Sequence, residues 1–171
     1  AILPFLLIYS KSQSQTVTVN SGNWNTASVW STGTLPGPGD DVIIRHAITV
    51  SNSAFSSTVR SLTVENGTNN ATATLSFNSG TAVRSLNILN DLSVSATSNN
   101  NCRFQLQGAS TTATVGGDII LNRNHSGFVD AFGVSLRNGS SITANDLFIT
   151  YANSSDDNQE VYIRETSSMI L

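Results

Sequence analysis

Pairs of apolar residues spaced Φ-x-Φ recur along this chain at one period in two separate registers. The first series runs Ile48/Val50, Leu75/Phe77, Phe104/Leu106, Val134/Leu136 and Val161/Ile163, in steps of 27, 29, 30 and 27 residues. The second runs Leu62/Val64, Leu92/Val94, Ile119/Leu121 and Leu147/Ile149, in steps of 30, 27 and 28. A weaker third series lies between them, around Leu86/Ile88, Thr114 and Ile142. Strict alternation is the signature of a strand with one buried face, and a fixed period of this size marks a solenoid. Three short strands per coil predict an all-β fold with almost no helix: a right-handed parallel β-helix whose like residues stack about 4.8 Å apart. A single coil cannot bury its own apolar face, so each depends on its neighbours. Residues 48–171 read as these coils. The last is incomplete, because aligning Val161 on Val134 sets Ser168 to Leu171 on Ser141 to Ala144, short of the strand that follows Asn145-Asp146.

An open solenoid end exposes apolar interior and unpaired strand edge, so the first coil needs bulky cover. Residues 15–47 supply candidates for that cap and for the leading strands: Trp24, Trp30, Pro36, Gly39 and Asp40. The pattern Trp24, Trp30, Leu35-Pro36, Gly39-Asp40, Val42, Ile44, then Leu62-x-Val64 and Gly67, resembles the G8-type N-terminal module of secreted and cell-surface β-helix proteins. Large bacterial adhesins of the type IX secretion route are among them. The resemblance implies a β-helix fold and an extracellular location. The chain departs from the family at Arg45-His46-Ala47, where a glycine is usual.

Upstream, Ala1 to Tyr9 form an apolar run far shorter than the roughly 20 residues a membrane helix needs. With Ser12 and Ser14 as small residues before a cleavage point, residues 1–14 read as the remnant of a signal peptide and Gln15 as the mature start. The competing reading is an apolar strand that docks by strand addition. No membrane span is expected.

Charged residues are only 11% of the chain, against about 25% in an ordinary soluble domain, so its polarity rests on hydroxyls and amides. A net charge of -3 argues against a general nucleic-acid binder, which needs a basic footprint. Cys102 is the single cysteine, so neither an intramolecular disulfide nor a cysteine-based zinc site is available. It reads as an inert thiol in or beside a loop.

The turns Asn90-Asp91, Gly117-Asp118 and Asn145-Asp146 share one phase of the repeat. Asp91, Asp118 and Asp146 are expected each to accept backbone N–H groups in its own turn. A stack of carboxylates would also invite a cation. The connections after the second series share a phase too, and so emerge along one edge. The last two of them carry Asp130, Asp156, Asp157 and Glu160, weak candidates for Ca²⁺ ligands without EF-hand or nonapeptide spacing. No cofactor is otherwise expected.

No hydrolytic motif is present, His46 and His125 are far apart, and Arg60 and Arg84, each before Ser-Leu-x-Φ, look like an echo of the repeat. Asn66-Gly67-Thr68 and Asn138-Gly139-Ser140 are among the matches to the glycan sequon. The expected function is a non-enzymatic structural or adhesion protein, secreted or at the cell surface, forming the N-terminal segment of a longer β-helical adhesin or filament. Its partners would be further coils of the same polypeptide, another subunit end to end, or surface glycans and proteins. The alternative is the non-catalytic N-terminal part of a secreted polysaccharide-degrading enzyme. A third reading, an ice- or surface-binding solenoid, rests on Thr16-x-Thr18 and Thr72-x-Thr74 and lacks a Thr pair in every coil.

Overall fold

The computed structural model of the chain describes residues 14–66, 72–98, 100–124, 131–151 and 161–171. Wherever the sequence alternates, a strand forms and turns the apolar set inward. In chain order these are β1 (Ser14–Val17), β2 (Gly22–Asn23), β3 (Asp40–Ile44), β4 (Ala47–Val50), β5 (Phe55–Val59), β6 (Ser61–Asn66), β7 (Ala73–Phe77), β8 (Arg84–Ile88) and β9 (Leu92–Ala96). They continue as β10 (Cys102–Gln107), β11 (Thr111–Val115), β12 (Ile119–Arg123), β13 (Phe132–Arg137), β14 (Ser141–Thr143), β15 (Leu147–Tyr151), β16 (Val161–Ile163) and β17 (Ser168–Ile170). The one helical element described is a 3-10 turn, Ala27–Val29.

From β3 onward every third strand joins the same sheet. Sheet 1 runs β1-β3-β6-β9-β12-β15, sheet 2 runs β2-β4-β7-β10-β13-β16, and sheet 3 runs β5-β8-β11-β14-β17. All pairings between these strands are parallel, which makes the chain a parallel β-solenoid of about five turns. No helix among the described residues is long and apolar enough to cross a membrane.

The two strong series are the interior columns of two sheets. In sheet 2, Ile48 pairs with Leu75, Leu75 with Phe104, Phe104 with Val134 and Val134 with Val161, while Leu106, Leu136 and Ile163 follow one another in the companion column. In sheet 1, Leu62, Leu92, Ile119 and Leu147 align, beside Val64, Val94, Leu121 and Ile149. Pairing runs without a break through residue 48, since β1 and β3 already belong to sheet 1, with Thr16 opposite Val42 and Val42 opposite Leu62.

The third series needs correction by one residue. Leu86 aligns with Ala113, Ile142 and Met169, so Ala113 and Val115 point inward and Thr114 outward. The cause is the size of the residues: where Thr and Ala alternate, apolar contrast is too small to fix the face, and the register with β8 decides it. Aromatic rings run through the interior from the N-terminal end. Trp24 packs edge-on against Phe55 with centroids 6.0 Å apart, Phe55 against Phe77 at 5.6 Å, and Phe77 against Phe104 at 6.5 Å. Between β10 and β11 the chain turns at Gly108, whose φ of 107° is open to glycine, and where a Cβ would run into the Gly80 carbonyl of the preceding coil.

Candidate functional site

The N-terminal residues singled out in the sequence come together. Trp24 and Trp30 are buried, their rings edge-to-face at 4.9 Å, and the Trp30 indole N–H donates to the Trp24 carbonyl at 2.9 Å. The segment around Trp30 lies antiparallel along the free side of β1: Val19 N–H donates to the Val29 carbonyl and Ser31 N–H to the Val17 carbonyl, both at 2.8 Å. Pro36 is buried and Gly39 exposed. Asp40 builds the turn into β3, its Oδ2 accepting from Gly37 N–H at 2.8 Å. The Arg45-His46 pair has a local use. Thr18 turns inward, accepts from Arg45 N–H at 2.8 Å and bonds His46 Nδ1 at 3.0 Å, tying this corner to the coil before it.

Asp91, Asp118 and Asp146 stand one above another, and the Asp91 carboxylate reaches beyond its own turn. Asp91 Oδ1 accepts from Asp118 N–H, one coil on, at 2.9 Å. The carbonyls of Asp91, Asp118 and Asp146 accept from the Leu62, Leu92 and Ile119 N–H groups, each one coil earlier. The ladder is a tie between coils, because stacked turns present donors and acceptors to the next coil at the strand spacing.

Asp130, Asp156, Asp157, Glu160 and His125 lie outside the described residues. Among the described residues no three His, Cys, Asp or Glu side chains gather as a metal site. Cys102 is in the middle of the fold rather than in a loop: it opens β10, is fully buried, and its Sγ lies 3.3 Å from the carbonyls of Val64 and Ser95. Burial pushes the thiol pKa up to about 12. Asn66, read as a glycan sequon, is also buried. Its amide donates to the carbonyls of Ser98 and Asn100 and its Oδ1 accepts from Thr97 N–H.

Arg60 and Arg84 share a local motif and have opposite environments. Arg60 sits at a sheet 1 corner and forms a forked pair with Asp41, whose carboxylate also accepts from the Ser61 hydroxyl. That hydrogen bonding holds Asp41 below its ordinary pKa. Arg84 begins a sheet 3 strand, takes the interior place of Phe55 in the coil below, and is fully buried. Its guanidinium donates to the carbonyls of Asn78 and Gln107, while burial lowers its pKa.

Two outward faces went unread in the sequence. On sheet 3, Ser56, Ser85, Thr112, Ser141 and Ser168 form one outer column, and Thr58, Asn87, Thr114, Thr143 and Ile170 the next. Thr16 and Thr18, by contrast, point inward. On sheet 2, the last three coils place Arg103, Gln105 and Gln107 beside Ser135 and Arg137, then Tyr162 and Arg164. The Arg137 and Arg164 guanidinium carbons lie 5.0 and 4.2 Å from the centroid of the Tyr162 ring. The signal available was Φ-x-Φ itself, since the residue between two inward positions faces out. No protein-family model, curated protein or solved structure matches the chain.

Proposed function

We propose that this chain is a non-enzymatic structural segment of a secreted or cell-surface protein, a rigid β-solenoid spacer of an adhesin or filament. The observation that carries the reading is the use made of polar side chains. Asp91, Asn66, Arg45 with Glu65, Arg60 with Asp41, and Thr18 with His46 are all spent on joining one coil to another. A ligand-processing site needs such groups to converge on a substrate, whereas a load-bearing rod needs them between repeats. The resemblance to the G8-type module and the short apolar run from Ala1 to Tyr9 favour the extracellular side, and the buried Trp24–Trp30 pair with the segment laid along β1 serves as the N-terminal cap in this reading.

At the other end, Ile149 and Ile163 occupy interior columns yet are 41% and 45% exposed, because β15 and β16 are paired on one side only. Free parallel edges with apolar columns are a surface suited to end-to-end contact with a second subunit. Protease shaving of intact source cells tests the location. Peptides of this chain are expected among those released from the surface, and their recovery from the cytoplasmic fraction alone refutes it. Release of reducing sugar from a polysaccharide panel by the purified chain would refute the non-enzymatic role.

A further inference from the structure

The outer face of sheet 2 changes character along the rod. Its early coils present Thr49, Thr74 and Ser76, and its last three present Arg103, Arg137 and Arg164. Both ion pairs among the described residues, Arg45–Glu65 and Arg60–Asp41, lie elsewhere, so none of these three guanidiniums has a described carboxylate partner. Glu165, next to Arg164, is occupied in accepting from Asn138 N–H.

Gln105 and Ser135 are adjacent outward-facing residues, yet they are 5% and 2% exposed. Ser135 Oγ is buried with no hydrogen-bond partner, and so are Arg103 Nε and Arg137 Nε. Although Arg103 and Arg137 are set four residues apart across neighbouring strands, burial lowers the pKa of Arg103 and the charge of Arg137 lowers it further. Tyr162 stands opposite Ser135 in the next coil, and both the Arg137 and the Arg164 guanidinium lie against its ring. Two guanidiniums gathered on one ring, with no described carboxylate to balance them, describe a place that an anion would complete.

We propose that Arg103, Gln105, Ser135, Arg137, Tyr162 and Arg164 form a binding site for an acidic glycan, a sugar chain bearing carboxylate or sulfate groups. The planar guanidinium fork fits either oxyanion with two parallel hydrogen bonds. Gln105 and Ser135, 5% and 2% exposed, form the floor beneath the arginines, and Tyr162 supplies an aromatic body at the edge of the site. The continuous sheet face lets successive coils meet successive sugars. Nucleic acid is the less suited polyanion, because the chain carries net charge -3 and the basic residues are confined to one patch. The site deepens the surface role by naming a ligand class, and its test makes no use of localisation, so either can fail without the other.

The test is calorimetric titration of the purified chain with four probes of equal length: an oligouronate, a sulfated oligosaccharide, a neutral oligosaccharide and single-stranded DNA. Binding of the oligouronate, the sulfated probe or both, weakening with salt and absent for the neutral sugar, is expected, and the two acidic arms tell carboxylate from sulfate. Arg164→Gln, at an exposed position, and Arg137→Gln should each weaken binding about tenfold or more, Arg137→Lys should restore part of it, and Arg45→Gln should leave it unchanged. If Arg137→Gln does not fold, Arg164→Gln and Tyr162→Ala decide. Failure of both acidic probes to bind, equal binding of DNA, or binding indifferent to the arginine variants would overturn the proposal.

Discussion

Replacing Phe77 by alanine tests the stacked interior most directly. Phe77 is fully buried in β7, opposite Val50, with its ring edge-on to Phe55 at 5.6 Å and to Phe104 at 6.5 Å. Truncating a buried phenylalanine costs about 3–5 kcal/mol through lost transfer free energy and the cavity left behind. Each edge-to-face pair adds about 0.5–1.5 kcal/mol beyond area burial, which places Phe77→Ala in the upper half of that range, at about 4–5 kcal/mol. Against a typical stability of about 5–15 kcal/mol, that is a large fraction. Refilling the cavity would require strands above and below to shift, and their ladders hold them at the strand spacing. Urea unfolding followed by circular dichroism and by fluorescence of Trp24 and Trp30 measures the loss. The control is Ser76→Ala, one residue away and facing outward, expected to stay within about 0.5 kcal/mol. A loss below about 1 kcal/mol for Phe77→Ala, or equal losses for the two variants, would refute the column.

Cys102, with its thiol pKa pushed up to about 12 by burial, should resist alkylation in the native protein at pH 8 and react fully in denaturant; rapid native labelling seen by mass spectrometry would contradict its placement. Asp41 is held below its ordinary 3.8, first by the hydrogen bond from Arg60, against partial burial, and then by Ser61 and the Arg60 charge. Because the folded pKa is the lower one, its contribution is present above pH 3.8 and lost as pH falls through the folded value. Urea midpoints from pH 6 to 2 should therefore fall less steeply for Asp41→Asn, and superimposable slopes would exclude the pair as a source of acid sensitivity. Asp91→Ala removes the acceptor for Asp118 N–H, and should cost about 1 kcal/mol and speed hydrogen exchange at the Asp118 amide; unchanged exchange would show the tie is not made in solution.

Much of the solenoid was legible because its interior is written twice at one period. A residue facing in must stack on another facing in, so the spacing from Val134 to Val161 already names the partner strands β13 and β16. The face of β11 was not legible, since Thr111-Thr112-Ala113-Thr114-Val115 offers little apolar contrast. Nor was the difference between Arg60 and Arg84. Both precede Ser-Leu-x-Φ, but whether such a segment joins sheet 1 or sheet 3 depends on how much chain was used in the connection before it, a non-local quantity.

The sheet 2 patch shows the same division. Sequence alone sets Arg103 between Cys102 and Phe104 and Tyr162 between Val161 and Ile163, and so puts both on the outside of strands. Only stacking brought residues from three coils within reach of one another, with Arg137 and Arg164 on one ring and Ser135 buried without a partner. Apolar burial is generic and leaves a periodic trace in the chain. A polar contact depends on the register of two distant segments and the lean of long side chains, and neither leaves a local trace.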